Sequence, residues 1–276
     1  MSRRSSIVIE HLRQEQMEAL LKVGKRLDGR GLTDYRELKI ETGLIKKAEG
    51  SALVSLGNTQ VIAGVKIEVD KPFPDMPDKG LLICNAEVLP LASAYAEPGP
   101  PDEAAIELAR VVDRGIRESE MIDLSKLVIK ENEKVYAVFI DVSILNTDGN
   151  LFDATSYAVV SALLTTKIPK YEIINNELIK TNEFINMPIN TIPISVTMAK
   201  INNSIVVDPT NEEEMCMDAR VTMTVDEANR VCAVQKGERG TLSIEQIKEI
   251  INLAIYKSVD IREKIKGVVY GKEKEQ

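Results

Sequence analysis

Residues 134–166, KVYAVFIDVSILNTDGNLFDATSYAVVSALLTT, decide the fold class. The run Lys134–Asn146 reads as a strand, Thr147–Asn150 as a turn, and Asp153–Thr166 as a helix. A strand that feeds a helix through a short turn is the unit of an α/β chain. The pattern extends in both directions. Just upstream, KLVIK (126–130) is a second extended run, separated from the first by a turn at Glu131–Glu133. Farther back, SALVSLGNTQVIAGVKIEVD (51–70) holds two apolar runs around Gly57, Asn58 and Thr59, with strict alternation from Val65 to Val69, and predicts a hairpin with one buried face.

Between these lie a loop rich in proline, KPFPDMPDKG (71–80), the apolar run LLICNAEVLPLA (81–92), and AAIELARVVDRGIRES (104–119), a helix ending near Met121. Pro101, Asp102 and Glu103 suit its start, where acids complement the dipole. Downstream, IPISVTMAKI, a turn at Asn202 and Asn203, SIVVD, the acidic PTNEEEMCMD, ARVTMTV and RVCAVQK repeat the meander. A long helix then starts near Ser243, with Gln246 completing a capping box, and runs to about Lys266. The chain divides into an N-terminal helical arm (1–25, helical from about Ser5 to Val23), a first half (26–170), a C-terminal half (188–268) and a frayed tail (269–276). The halves join near Tyr171 to Met187.

Composition excludes several functions. At 276 residues, 44% of them apolar, the chain can bury a sizeable core. Its three cysteines, Cys84, Cys216 and Cys232, form no C-x-x-C, so no disulfide framework or zinc site is suggested and a reducing cytoplasm fits. No long apolar run marks a membrane span, and the charged start does not resemble a signal peptide. The lone histidine, His11, lies on an amphipathic stretch, which leaves no triad and no metal site built on histidine. Neither common nucleotide loop, G-x-x-x-x-G-K-[ST] or G-x-G-x-x-G, occurs. Carboxylate and arginine chemistry remains.

The helix at 104–119 places Arg110, Arg114 and Arg117 along one face. A net charge of −8 and an isoelectric point near 5.0 argue against a wholly basic nucleic-acid binder, so any polyanion site is local. Such arginines also pair with acids on their own helix, and Glu107 and Glu118 stand three and four residues from Arg110 and Arg114. The spacing alone leaves both readings open.

The order RLDGRGLTDYRELKI, GSALVSLGNTQVIAGVKIEVD, EPGPPDEAAIELARVVDRGIRES, VFIDVSILNTDGNLFDATS and VVDPTNEEEMCMDA resembles the RNase PH family from about Arg26 to the final helix. The proline-rich EPGPPDE leading into IELARVVDR is similar to the non-catalytic ring subunits of the archaeal exosome. The resemblance implies an α/β (α+β) fold of two βαβα-type halves with mixed sheets and packed helices. It also implies a six-membered ring, three heterodimers with a catalytic RNase PH-like subunit, through which single-stranded RNA reaches phosphorolytic sites. RNA-binding cap subunits belong to that assembly; a membrane and cofactors do not. Arg110 and Arg114 match positions that contact RNA phosphates at the edge of the partner's active site, whereas Arg117 has a surface ion pair as its default.

Catalytic members carry Asp-Gly-Gly-Thr/Ser-Arg at the turn after the central strand, where backbone N–H groups and an arginine hold phosphate. Here the turn is Asp148, Gly149, Asn150, Leu151, Phe152: the second glycine is gone and an apolar ring replaces the cation. It therefore reads as an ordinary turn capped by Asn150 or Asp153, set against a residual phosphate cradle. Catalytic members also place two aspartates six positions apart. The first matches Asp208, and the second position is Glu214, whose extra methylene displaces the carboxylate. Asp208, Glu212, Glu213, Glu214 and Asp218 read as Mg²⁺ ligands or as acids opening a helical turn. Asn150, Phe152, Asp208 and Glu214 are thus degenerate versions of phosphate and catalytic positions, and no catalytic or metal residue is assigned. Three functions follow: a non-catalytic ring subunit, an independent phosphorolytic exoribonuclease, and a small-molecule kinase or other nucleotide binder on a related fold, the last disfavoured because no glycine-rich loop is present.

Overall fold

The computed structural model describes residues 15–93, 96, 99–174 and 177–271. Strands β2 (Gly50–Leu56) and β3 (Thr59–Asp70) form the expected hairpin. Gly57 opens its two-residue loop at φ +58°, a left-handed value glycine reaches without a Cβ clash. Val61, Ala63 and Val65 face inward and are fully buried. Beside β3 runs β6 (Lys134–Asn146), antiparallel, with Ala63 opposite Val142 and Val65 opposite Ile140. On its other side β6 takes β4 (Leu81–Val88) in parallel. With β1 (Leu38–Thr42) and β5 (Val128–Lys130) they make a mixed six-stranded sheet in the order β1-β2-β3-β6-β4, β5 pairing β6.

Parallel strands need a crossover, and α2 (Glu103–Glu118) lies on it. Asp102 caps α2 by accepting from the Ala105 N–H at 2.8 Å. Ala105, Leu108, Ala109, Val112 and Ile116, spaced by three, one, three and four residues, form the buried stripe that packs α2 on β4 and turns its arginines outward. Helix α3 (Leu151–Leu164) follows β6 directly and is buried at every residue from Phe152 to Leu163. A helix buried all round needs neighbours on both sides, and α3 has β2 and β3 on one side and the second half on the other.

That second half is a four-stranded antiparallel sheet, β10-β9-β11-β12, made of β9 (Ile194–Ile201), β10 (Ser204–Val207), β11 (Ala219–Val225) and β12 (Val231–Gly237). The short α4 (Asn211–Glu214) sits between β10 and β11, and α5 (Ile244–Gly271) packs across β9 and β11. The Ser243–Gln246 capping box is present: the Ser243 N–H donates to the glutamine at 3.0 Å and the Gln246 N–H to the serine at 3.2 Å. One hydrophobic core joins the halves, with Val54, Ile140, Tyr157, Met198 and Ile261 in it.

Two boundaries differ from the sequence reading. Residues 171–187 are not a plain join but most of a hairpin, β7 (Lys167–Ile174) with β8 (Glu177–Asn186). Lys170, Lys180, Thr181 and Glu183 give it no continuous apolar face, so the period-two signal is weak. Helix α5 continues through 269–271, assigned above to the tail, because Val268 and Val269 still pack on the core; residues 272–276 lie outside the described residues. Of the arm, α1 is described over residues 15–22, where Met17 and Leu21 pack on Ala199, Ile201 and Val206 of the second sheet. The helical reading of Ser5 to Gln14, His11 included, falls outside the described residues. No described helix is long and apolar enough to cross a membrane.

Candidate nucleic-acid interface

Arg110 and Arg114 stand one turn apart on the exposed face of α2. Among the described residues neither makes an ion pair. Their expected partners do not hold them: Glu107 accepts from Arg220 Nη2 at 2.7 Å and from Gln235 Nε2 at 3.3 Å, and Glu118 makes no bond to Arg114. Arg117, by contrast, is held by Asp113 at 2.9 Å and donates to the Leu82 carbonyl at 2.8 Å, the surface pair expected of it. Arg110 and Arg114 therefore line an open groove of about 340 Å³ with Glu103, Ile106, Glu107, Val111 and Gln235. Two permanently charged, unpaired guanidiniums on residues about 6 Å apart along the helix axis suit successive anionic groups of a chain.

The turn after β6 is filled by the chain itself. Gly149 sits at φ +81°, and a Cβ there would lie 2.4 Å from the Thr210 carbonyl carbon and 2.5 Å from the Asn211 nitrogen. Asn150, left-handed at φ +53° and fully buried, caps α3 by accepting from the Asp153 N–H. Its backbone N–H, a group a phosphate cradle would need, donates to Glu214 Oε1 at 2.8 Å. Its side-chain amide donates to Asp208 Oδ1 at 2.8 Å and Asp153 Oδ2 at 2.9 Å. Phe152 is buried under the Arg220 guanidinium, whose central carbon lies 4.0 Å from the ring centre, a cation–π contact. The cavity that remains, about 140 Å³, is lined by Val88, Leu108, Leu151, Phe152, Glu214 and Arg220 among others. Of the two readings of this turn, the capped strand-to-helix turn is the one the geometry matches.

Four of the five acids, Asp208, Glu213, Glu214 and Asp218, also have protein partners. Asp208 is fully buried and accepts from Arg30 Nη1 (2.9 Å), the Arg36 N–H (2.8 Å), Arg36 Nε (3.0 Å), Arg36 Nη2 (2.8 Å) and Asn150 Nδ2 (2.8 Å). Glu213 pairs with buried Arg26 and closes the capping box of α4 with Thr210. Asp218 accepts the Asn202 N–H at 2.7 Å. Burial pushes the Glu214 carboxyl up, against the lowering pull of the Asn150 N–H, Arg220 and Arg36. Burial likewise lifts Asp153 to about 6, although Asn150 and Thr197 donate to it.

The sequence reading placed Arg110, Arg114, Asn150, Phe152, Asp208 and Glu214, and the last four do gather at one point, the junction of α3 and α4. It missed Arg26, Arg30 and Arg36, which bring the β1 lead-in onto that point, and Arg220, which joins it to the arginine helix. The only signal for the first three was their density within RLDGRGLTDYR. A lone arginine at the start of β11 carried none.

The family model described as the 3′ exoribonuclease family matches the chain in two parts, its domain 1 over residues 34–169 and its domain 2 over residues 191–256. The exosome complex component Rrp42 of Thermococcus gammatolerans is 51% identical over 257 residues, covering 92% of this chain and 94% of that protein. A chain of the Archaeoglobus fulgidus exosome with RNA bound to the active site superposes with a TM-score of 0.86 at 45% identity, covering 93% of this chain and 99% of that one. A chain of an archaeal exosome core gives 0.83 at 42% identity, covering 94% and 98%.

Proposed function

The chain belongs to the RNase PH family of 3′ exoribonucleases, and from that premise we propose that it is a non-catalytic ring subunit of an archaeal exosome, a cytoplasmic 3′-to-5′ RNA-degrading complex. One observation carries the non-catalytic part: the turn that would cradle phosphate is closed by the chain's own groups. Glu214 takes the Asn150 N–H, and Phe152 with Arg220 fills the place of the phosphate-binding cation. Asp208, buried among Arg30, Arg36 and Asn150, neither faces a substrate nor has a free proton-accepting position.

In this reading the chain pairs with the catalytic RNase PH-like subunit, three such heterodimers forming the ring with RNA-binding cap subunits. Arg110 and Arg114 hold phosphates of single-stranded RNA entering the partner's site. They bind without regard to base, because a guanidinium fork recognises phosphate oxygens and not base edges. The kinase or nucleotide-binder reading has no support in the geometry.

The test reconstitutes the full chain with its catalytic partner and measures RNA binding by fluorescence anisotropy at two salt concentrations. Arg110→Ala with Arg114→Ala should cost about 1 to 3 kcal/mol per lost contact and flatten the salt dependence. Phosphorolysis by the complex should fall with it. The chain alone, given RNA, Mg²⁺ and inorganic phosphate, should release no nucleoside diphosphate above background. Unchanged RNA affinity in an assembled complex would overturn the arginine assignment, and phosphate-dependent RNA shortening by the chain alone would establish an independent enzyme.

A further inference from the structure

Glu107 precedes Arg110 by three residues on α2, a spacing from which a carboxylate ordinarily reaches the guanidinium. It does not do so here. Arg220 on β11 and Gln235 on β12 draw it toward the second sheet, at 2.7 and 3.3 Å. Arg220 is itself fixed from below by the Phe152 ring and its side chain is only 12% exposed, with no hydrogen-bond partner for its Nε among the described residues. The four residues form a stack across the junction: Phe152 at the start of α3, Arg220 above it, Glu107 next, and Arg110 one turn beyond. A cation at position 152 would repel Arg220 at this distance, so the aromatic ring that closes the phosphate turn also seats Arg220.

We propose that Arg220 is a positioning residue for RNA binding, acting through Glu107: by holding and neutralising that carboxylate it leaves the Arg110 guanidinium unpaired and keeps a free negative charge off the phosphate-binding face. The inference rests on the RNA-binding reading of Arg110 and Arg114. Without Arg220, Glu107 is one rotamer change from Arg110. The charged groups lining the groove would then be Glu103, Glu107, Arg110 and Arg114, two acids against two bases.

The experiment is a mutant cycle on the full chain assembled with its catalytic partner, read by anisotropy of a fluorescein-labelled single-stranded RNA. Arg220→Met should weaken binding about three- to tenfold, the scale of one uncompensated charge near a phosphate in partly exposed surroundings. Adding Glu107→Gln should return affinity to within about twofold of the native complex, a rescue that general loss of structure does not predict. In an Arg110→Ala background, Arg220→Met should produce a clearly smaller loss, because only the added charge of Glu107 beside Arg114 is then felt. Equal weakening by Arg220→Met in both backgrounds, or no rescue by Glu107→Gln, would overturn the proposal. No effect of Arg110→Ala itself would instead overturn the RNA-binding reading on which it rests. If Arg220→Met does not assemble, the pair Arg220→Gln with Glu107→Gln keeps a neutral hydrogen bond across the same gap. Near-native affinity of that pair supports the proposal, and a several-fold loss refutes it by making Arg220 a direct RNA contact.

Discussion

Replacing Asp208 with Asn separates a structural carboxylate from a catalytic one. Asp208 takes Arg30 Nη1 and two Arg36 donors on Oδ2, and Arg36 Nη2 and Asn150 Nδ2 on Oδ1. Asparagine has one acceptor oxygen, so whichever way its amide points, an NH₂ group faces donors. Arg30 keeps Asp28 at 2.6 Å, but Arg36, with a side chain 8% exposed, keeps the Asp148 and Gly149 carbonyls and has no carboxylate nearer than Asp148 at 3.9 Å. Removing one partner of a buried ion pair costs about 3 to 5 kcal/mol. At about 2 to 4 °C per kcal/mol for a chain of this size, the melting temperature should fall by roughly 6 to 20 °C. Calorimetry of the purified chain reads that loss, while phosphorolysis per assembled complex should stay near its native value. A melt within about 1 °C of native, with phosphorolysis abolished, would refute the reasoning and return Asp208 to the chemistry.

Gly149→Ala should destabilise by about 2 to 4 kcal/mol in urea unfolding, because it combines a left-handed φ with a Cβ driven into the backbone of Thr210 and Asn211; Gly267→Ala, in open space on α5, should instead stabilise by about 0.5 to 1 kcal/mol, and equal effects at the two sites would contradict this. Burial raises the folded Asp153 carboxyl to about 6 from 3.8, so its contribution to stability is full below about pH 4 and is lost as pH rises through 6. Asp153→Asn cannot ionise, so native stability minus variant stability should drop by roughly 2 kcal/mol between pH 4 and pH 7, and a flat difference would show that Asp153 is not raised.

Legibility in the sequence followed the range of the interactions. The β2–β3 hairpin, the β6–α3 unit and α2 were readable because each has a single buried face, or none exposed, and is punctuated by Gly57, Asn150 or Asp102. The β7–β8 hairpin was not, because Lys170, Lys180, Thr181 and Glu183 interrupt its apolar residues and the register shifts between Pro169 and Tyr171, which leaves no clean period to count. At the site, spacing located Arg110 and Arg114 but could not tell whether Glu107 neutralised them. That depends on Arg220, 113 residues away, a contact no local window contains. The same holds for Asp208, whose arginine partners Arg30 and Arg36 lie 178 and 172 residues earlier in the chain. An aspartate at a family's acidic position invites a catalytic role, yet a carboxylate has about four lone-pair positions, and the five donors around this one engage them all. A general acid must exchange its proton with a substrate, and a carboxylate locked between two guanidiniums inside the core can do so only by giving up the bonds that join the β1 lead-in, α3 and β10. In this chain Asp208 ties the halves together through Arg30, Arg36 and Asn150, and the unpaired guanidiniums of Arg110 and Arg114 stand apart from it on the outer face of α2.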